Sequence, residues 1–188
     1  ESPKFLVDVD QKPMILNILD LFPQNSKFIF FINEFHYKKT NIVNLLNSLE
    51  LDLKILKTPI HKLGPGHTIR KFYDHISDSL PTIVNYCDFS MGWNFEKFQN
   101  YVNYFNLDGC ILTYKGFHPH MLHDNNYAFC KVNKSNDLLE IKEKESFTDN
   151  KMSEHASSGA YYFKNGKIMK NSIDYLFQNN DRVNGEYY

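Results

Sequence analysis

Short apolar runs and amphipathic segments alternate along the first two thirds of the chain. The longest apolar run, Phe28 to Ile32, is typical of a strand that is covered on both faces. Apolar residues recur at helical spacing before this run, from Met14 to Phe22, and after it, from Ile42 to Leu49. With the strand predicted at 53–56, this succession of strand, helix and strand predicts a parallel sheet with helices on both faces.

The alternation continues to about residue 114 and then changes character. The further predicted elements are a strand at 53–56, a helix at 67–76 opened by a turn at 64–66, a strand at 81–86, a helix at 95–105 and a strand at 110–114. Beyond them, short strand-like runs at 127–132, 138–142 and 159–163 are separated by polar turns, and a last helix is predicted at about 167–177. We therefore predict a single α/β domain with antiparallel additions.

Composition and charge exclude several classes of protein. Hydrophobic residues account for 42% of the 188 residues, which suits a packed core and excludes a disordered tail. The 21 Lys and Arg residues are balanced by 22 Asp and Glu residues, so no excess of positive charge indicates nucleic acid or an acidic membrane surface. No apolar run approaches the roughly 20 residues of a membrane helix. Residues 1–4 lack the features of a signal peptide, so we predict a cytoplasmic protein.

The three cysteines, Cys87, Cys110 and Cys130, are widely spaced within apolar stretches. An odd number at such spacing does not form a disulfide framework. We expect buried, reduced thiols.

Candidate binding residues follow predicted strands, because ligands of open α/β sheets bind beyond the carboxyl ends of the strands. Lys4 lies beside Pro3 in a loop that leads into the sheet, where its charge could contact phosphate oxygens, although most lysines only solvate a surface. Asp88 ends the strand at 81–86 and is well placed to hold Mg²⁺ together with substrate phosphates. A helix N-cap explains Asp88 equally well.

Two further segments contain residues that could bind substrate. Gly64, Pro65 and Gly66 let the backbone approach a flat base or a phosphate, and an ordinary strand-to-helix turn is the alternative. Glu143 and Lys144 belong to an alternating acid–base run, which is usually a solvated face. Because this run precedes an apolar strand that begins with a glycine, an inward-facing pair remains an alternative.

Taken in order, these segments resemble the nucleotidyltransferases that activate sugar phosphates and related phosphorylated metabolites, in the branch found in capsule and lipopolysaccharide biosynthesis. The matching stretches are PKFLVDVDQKPMI, LGPGHTI, PTIVNYCDF, EIKEKE, SSGAYYFKNG and VNGEYY, which together span nearly the whole chain. The resemblance implies a GT-A-like, Rossmann-related three-layer sandwich with a mixed, mostly parallel sheet. It also implies transfer of a nucleotidyl group from an NTP to a phosphorylated acceptor, release of pyrophosphate, and Mg²⁺ as cofactor.

The resemblance assigns a role to each candidate residue. The catalytic pair would be Lys4, which steadies the phosphates, and Asp88, which binds Mg²⁺. The other candidates would bind the two substrates: the nucleotide at Gly64, Pro65 and Gly66, and the acceptor at Glu143, Lys144 and Gly159. The glycine-rich signature of the family would lie N-terminal to Pro3. We therefore expect residues 1–188 to form one nucleotidyltransferase domain that lacks the first strand and the glycine-rich loop.

Other functions are compatible with the sequence. One is a GT-A glycosyltransferase that uses a nucleotide-sugar, but the stretch CDFSMGW has no second Asp for a D-x-D motif. Another is a module that binds a nucleotide or sugar phosphate without catalysis. The acceptor could be a phosphorylated amino acid instead of a sugar, and the protein could form a homo-oligomer.

Two smaller features also admit two explanations each. His118, His120 and His123 could hold zinc or belong to a loop over the acceptor pocket, and Pro119 between the first two disfavours a regular strand there. Trp93 could line the pocket or pack in the core.

Overall fold

The computed structural model describes residues 3–119 and 127–188 of the chain. In chain order, the elements are the 3₁₀ helix Lys4–Leu6, β1 (Asp8–Val9), β2 (Lys12–Pro13), α1 (Met14–Leu19), β3 (Lys27–Asn33), α2 (Glu34–Lys39), α3 (Ile42–Asn47), β4 (Asp52–Thr58), α4 (Gly64–Lys71), the 3₁₀ helix Tyr73–His75, β5 (Thr82–Asn85), α5 (Phe95–Tyr104), β6 (Gly109–Tyr114), β7 (Ala128–Val132), β8 (Leu138–Glu143), the 3₁₀ helix Lys151–Ser153, β9 (His155–Phe163) and α6 (Gly166–Gln178). The helix and strand order predicted from the apolar pattern is thus found, with β1, β2 and α2 as additions.

The apolar run Phe28 to Ile32 lies in β3, which pairs in parallel with β4. Its side chains alternate between the two faces of the sheet. Phe28 and Phe30 pack against the cluster formed by α1 and α3, whereas Phe31 packs against the cluster formed by α4 and α6. Helices therefore cover both faces of this pair, as a three-layer sandwich requires.

Asparagine side chains determine where three of the helices begin. The side chain of Asn33 accepts a hydrogen bond from the backbone N–H of His36 (2.9 Å) at the start of α2. Asn94 and Asn165 do the same at the starts of α5 and α6. Each cap satisfies a backbone donor that has no partner within its own helix.

The second sheet is built around β9, which pairs with β5, β6 and β7, while β8 pairs with β7 at the edge. All of these described pairings are antiparallel. The α/β class is confirmed, and the antiparallel additions are found, but the pairing is less parallel than expected. The reason is that β9 inserts between β5 and β6. These two strands run parallel to each other, yet each forms its hydrogen bonds with the antiparallel strand between them.

Two predicted element boundaries also differ from the structure. Gly64 to Gly66 form the first turn of α4 instead of a preceding loop. Gly159 lies in the middle of β9 and does not open that strand, because the strand already starts at His155. No helix in residues 3–119 and 127–188 combines the length and the apolar character needed to cross a bilayer.

Candidate active site

The structure brings together the two residues predicted as the catalytic pair. Lys4 lies in the N-terminal 3₁₀ helix, and Asp88 lies three residues beyond the end of β5. The ammonium Nζ of Lys4 is 3.6 Å from Oδ2 of Asp88. The side chain of Lys4 is 85% exposed and that of Asp88 is 37% exposed, so both charges remain accessible to a ligand.

Tyr86 connects this pair to the rest of the site. Its backbone N–H donates to the carbonyl of Gly159 (3.1 Å), and its ring covers that glycine. Gly159 has φ +77°, and a Cβ there would lie 2.5 Å from Cδ2 of Tyr86. Glycine at this position therefore lets the ring of Tyr86 lie directly against β9.

Two carboxylates and two tyrosines lie within electrostatic range of the phenol of Tyr86. Burial raises the pKa of Tyr86, and repulsion from Tyr161, Glu143, Tyr188 and Asp88 raises it further. Asp88, from the loop after β5, and Glu143, from the end of β8, therefore both lie within electrostatic range of the same tyrosine. We call Lys4, Tyr86, Asp88, Glu143 and Lys144 the central site.

Glu143 and Lys144, at the end of β8, are the other two charged residues of the central site. Burial raises the pKa of Glu143; Lys144 opposes this shift, and Glu186 adds to it. Among the described residues, no donor forms a hydrogen bond with the Glu143 carboxylate, so its oxygens are free to accept bonds from a ligand. The backbone of Lys144 has φ +58°, which is uncommon for a residue with a side chain. The inward-facing arrangement is the one that the structure adopts.

Gly64 and Gly66 contact the C-terminal segment 186–188. The N–H of Gly66 donates to the carbonyl of Tyr187 (3.0 Å), and the N–H of Tyr187 donates to the carbonyl of Leu63 (3.0 Å). A Cβ at Gly64, where φ is +83°, would overlap the backbone of Tyr187. Close backbone packing thus accounts for this glycine, and the predicted contact of Gly64, Pro65 and Gly66 with a nucleotide stays a prediction.

The C-terminal segment then extends from these glycines to the central site. Lys144 Nζ forms a hydrogen bond with the hydroxyl of Tyr188 and lies 4.4 Å from the centre of its ring. The Tyr188 hydroxyl donates to a carboxylate oxygen of Glu186. All the predicted site residues are therefore in the central site or in direct contact with Tyr86 or the C-terminal segment, except Pro65, which lies between the two glycines.

The residues present fit a magnesium ion that is shared with a substrate. Mg²⁺ is usually held by one or two carboxylates together with substrate phosphates, and it needs no complete protein cage. The accessible carboxylate of Asp88 matches the protein part of such a ligand set. In the described part of the chain, no group of three or more His, Cys, Asp and Glu side chains could hold a metal ion by itself.

The structure resolves some of the remaining alternatives. Trp93 packs in an aromatic cluster with Phe22 and Phe98, and its indole N–H donates to the carbonyl of Leu21 (2.8 Å), so it is a packing residue.

Cys87 is exposed, contrary to the expectation of a buried thiol, because it lies in the loop after β5. Of the proposed histidine site, His120 and His123 lie outside the described residues.

The sequence interpretation missed Tyr86, Glu186 and Tyr188. All three lie in stretches that carry the family resemblance, PTIVNYCDF and VNGEYY. The position of Tyr86 directly after β5 was an available signal, since ligands of α/β sheets bind beyond the carboxyl ends of strands. No comparable signal exists for Tyr188, whose contact with Lys144 joins positions that are 44 residues apart.

Comparison with known proteins identifies the fold. No family model matches the chain, and no curated protein matches it in sequence. HddC from Yersinia pseudotuberculosis is 20% identical over 90% of this chain and 70% of its own, with a TM-score of 0.61. HddC in complex with GMP-PN is similar at 18% identity, covering 91% of this chain and 71% of its own, with the same TM-score of 0.61.

A third similar structure is a protein from Bacillus anthracis named as a glucose-1-phosphate thymidylyltransferase, crystallised with sucrose. It is 15% identical over 93% of this chain and 66% of its own, with a TM-score of 0.65. At these identities, the comparisons establish architecture. The chain has the mixed α/β fold of these proteins, and this confirms the fold that the resemblance implied.

Proposed function

We propose that this protein is a nucleotidyltransferase that activates a phosphorylated sugar or a similar metabolite with an NTP and releases pyrophosphate. The observation that carries the proposal is the assembly of the central site, in which Asp88 and Glu143, from separate segments, both lie within electrostatic range of Tyr86. Each of these carboxylates has a lysine near it, Lys4 for Asp88 and Lys144 for Glu143, and two ammonium groups suit a reaction between two phosphate-bearing substrates. The fold supports the proposal, because one similar protein is named as a thymidylyltransferase and another was crystallised with GMP-PN.

The proposed reaction is an in-line displacement at the α-phosphorus of the NTP. A phosphate oxygen of the acceptor forms the new P–O bond, the bond to the β-phosphate oxygen breaks, and pyrophosphate leaves with that electron pair. The nucleophile is already an anion at neutral pH, so the protein needs no general base. Its task is to position two polyanions and to stabilise the charge that develops between them.

The four charged residues of the central site each have a role in this reaction. Lys4 binds phosphate oxygens of the NTP and offsets the charge on the leaving pyrophosphate. Lys144 binds the phosphate of the acceptor, and Glu143 accepts hydrogen bonds from its hydroxyl or amine groups. Asp88 would hold Mg²⁺ together with the substrate phosphates, and the metal would supply charge stabilisation when bound.

The acceptor class follows from the side chains around Lys144. A phosphate for the ammonium and hydrogen-bond donors for Glu143 are properties of sugar phosphates, and we propose these as the first acceptors to test. A phosphorylated amino acid has the same two features. The proposed use of the product in capsule or lipopolysaccharide synthesis rests on the resemblance of the sequence.

Pyrophosphate release tests the proposal. The full-length protein is incubated with Mg²⁺, each of the four NTPs and a panel of sugar phosphates and phosphorylated amino acids. We expect release that depends on both substrates and that favours one NTP. Transfer from a preformed nucleotide-sugar without pyrophosphate release would indicate a glycosyltransferase instead. Substrate binding without turnover would indicate a non-catalytic binding module.

A further inference from the structure

Lys144 is held by an unusual set of contacts for a lysine that follows an edge strand. Its backbone lies in the left-handed region, and its N–H donates to the carbonyl of Tyr127 (3.1 Å). At the other end of the side chain, Nζ contacts both the hydroxyl and the ring of Tyr188. Both ends of a long, flexible side chain are therefore fixed.

Tyr188 is itself fixed by its neighbours. Its hydroxyl donates to Glu186, which leaves the oxygen lone pairs to accept from Lys144. The preceding residue, Tyr187, pairs through its backbone with Leu63 and Gly66, and its ring stacks on Phe177 at 3.7 Å between centroids. The segment that presents Tyr188 is thus anchored to α4 and α6.

We propose that Tyr188 is a positioning residue, which holds the ammonium of Lys144 where the phosphate of the acceptor docks, and that Glu186 acts on Lys144 by orienting Tyr188. The inference rests on the proposed function, because it assumes that Lys144 binds that phosphate. It concerns residues that take no part in bond making.

The physical argument is one of preorganisation. A free lysine side chain loses much of its rotamer freedom when it binds an anion, and this loss weakens binding. The contacts with Tyr188 restrict Lys144 before the acceptor arrives. An ammonium has three N–H donors, so the bond to Tyr188 leaves two for phosphate oxygens. The interaction with the ring preserves the positive charge that attracts the phosphate.

Tyr188→Phe tests this role, because it removes the hydroxyl and keeps the ring. For the proposed reaction, we expect the KM for the phosphorylated acceptor to rise about three- to ten-fold while the KM for the NTP stays unchanged. Glu186→Gln should raise the same KM by a smaller factor. Tyr104→Phe, at a tyrosine that is 83% exposed on α5, is the matched control and should behave as wild type.

A binding experiment separates this inference from the proposed function, because it needs no turnover. Inorganic phosphate is titrated into the ¹⁵N-labelled full-length protein, and the backbone amide of Lys144 is followed by NMR. We expect a saturable shift in wild type that needs about three- to ten-fold more phosphate in Tyr188→Phe. In a Lys144→Gln background, Tyr188→Phe should have no further effect on phosphate binding.

Several results would overturn the inference. One is the absence of a phosphate-dependent shift at Lys144 in wild type. Another is an equal affinity for phosphate in wild type and Tyr188→Phe. A third is a loss of phosphate affinity in Tyr104→Phe that equals the loss in Tyr188→Phe. An effect of Tyr188→Phe that persists without Lys144 would also contradict it, because it would show that the tyrosine acts independently. If phosphate binding behaves as expected but no pyrophosphate is released with any pair of substrates, only the proposed function is contradicted.

Discussion

The environment of Glu143 is unfavourable for a charged carboxylate. Its carboxylate is partly buried, it is close to a second carboxylate at Glu186, and no described residue donates a hydrogen bond to it. Burying an ionised carboxylate without a donor lowers stability. Perturbed acids of this kind concentrate at functional sites, which makes Glu143 a candidate functional residue.

Because burial of the charged Glu143 carboxylate lowers the stability of the folded protein, replacing it with a neutral side chain should stabilise the protein. Burial raises the pKa of Glu143 in the folded protein above its value in the unfolded chain. The protonated carboxyl group therefore stabilises the folded state at a pH below the unfolded pKa, and this stabilisation is lost as the pH rises through the folded pKa. Glu143→Gln should therefore raise the melting temperature at pH 7 by a few degrees. The advantage should vanish below about pH 4, where the wild-type carboxyl group is protonated in both states.

Thermal unfolding at pH 7 and at about pH 3 measures this effect. Glu140→Gln, at an exposed position on the same strand, is the control and should change the melting temperature little at either pH. A lower melting temperature of Glu143→Gln at pH 7 would show that the carboxylate is well solvated or well paired, and Glu143 would then carry no cost that a function has to explain.

At the scale of elements, the site depends on the close approach of β5 and β9. Tyr86 can lie over β9 only because Gly159 lacks a side chain and adopts a positive φ. The alternation of apolar residues could predict both strands, but it could not predict that the later strand inserts beside the earlier one. Strand order depends on contacts between positions far apart in sequence, such as Asn85 with Ala160. The local pattern of apolar residues does not predict such contacts.

Gly159→Ala should therefore disrupt the site as well as the strand. The methyl group would strain the backbone and displace Tyr86, and we expect a loss of about 3 kcal/mol in the free energy of unfolding. Gly116→Ala is a matched control, since Gly116 has φ +105° and open space around it. It should show only the backbone strain, about 1 kcal/mol.

Chemical denaturation of the three proteins gives these free energies. The difference between the two variants isolates the displacement of Tyr86. Equal losses in Gly159→Ala and Gly116→Ala would mean that the tyrosine moves aside freely, and its central place in the site would then be wrong.

At the scale of the molecule, the site is assembled from the start, middle and end of the chain. Lys4, Asp88, Glu143 and Tyr188 come from four separate segments. The candidate carboxylates could be predicted from the sequence because each lies at or just beyond the end of a strand, where ligands of α/β sheets bind. The C-terminal contacts could not be predicted, because nothing local in VNGEYY indicates that it returns to α4 and to Lys144.

The central claim is that Asp88 and Lys4 serve nucleotidyl transfer to an acceptor held beside Lys144. The most direct measurement follows the label of an NTP carrying ³²P at the α-position, incubated with Mg²⁺ and the acceptor that supports pyrophosphate release. We predict that wild type transfers the label to the acceptor, that Asp88→Asn transfers it at least about 100-fold more slowly, and that Asp149→Asn, at an exposed loop position, is unaffected. An Asp88→Asn protein that is folded and transfers the label at the wild-type rate would contradict this claim.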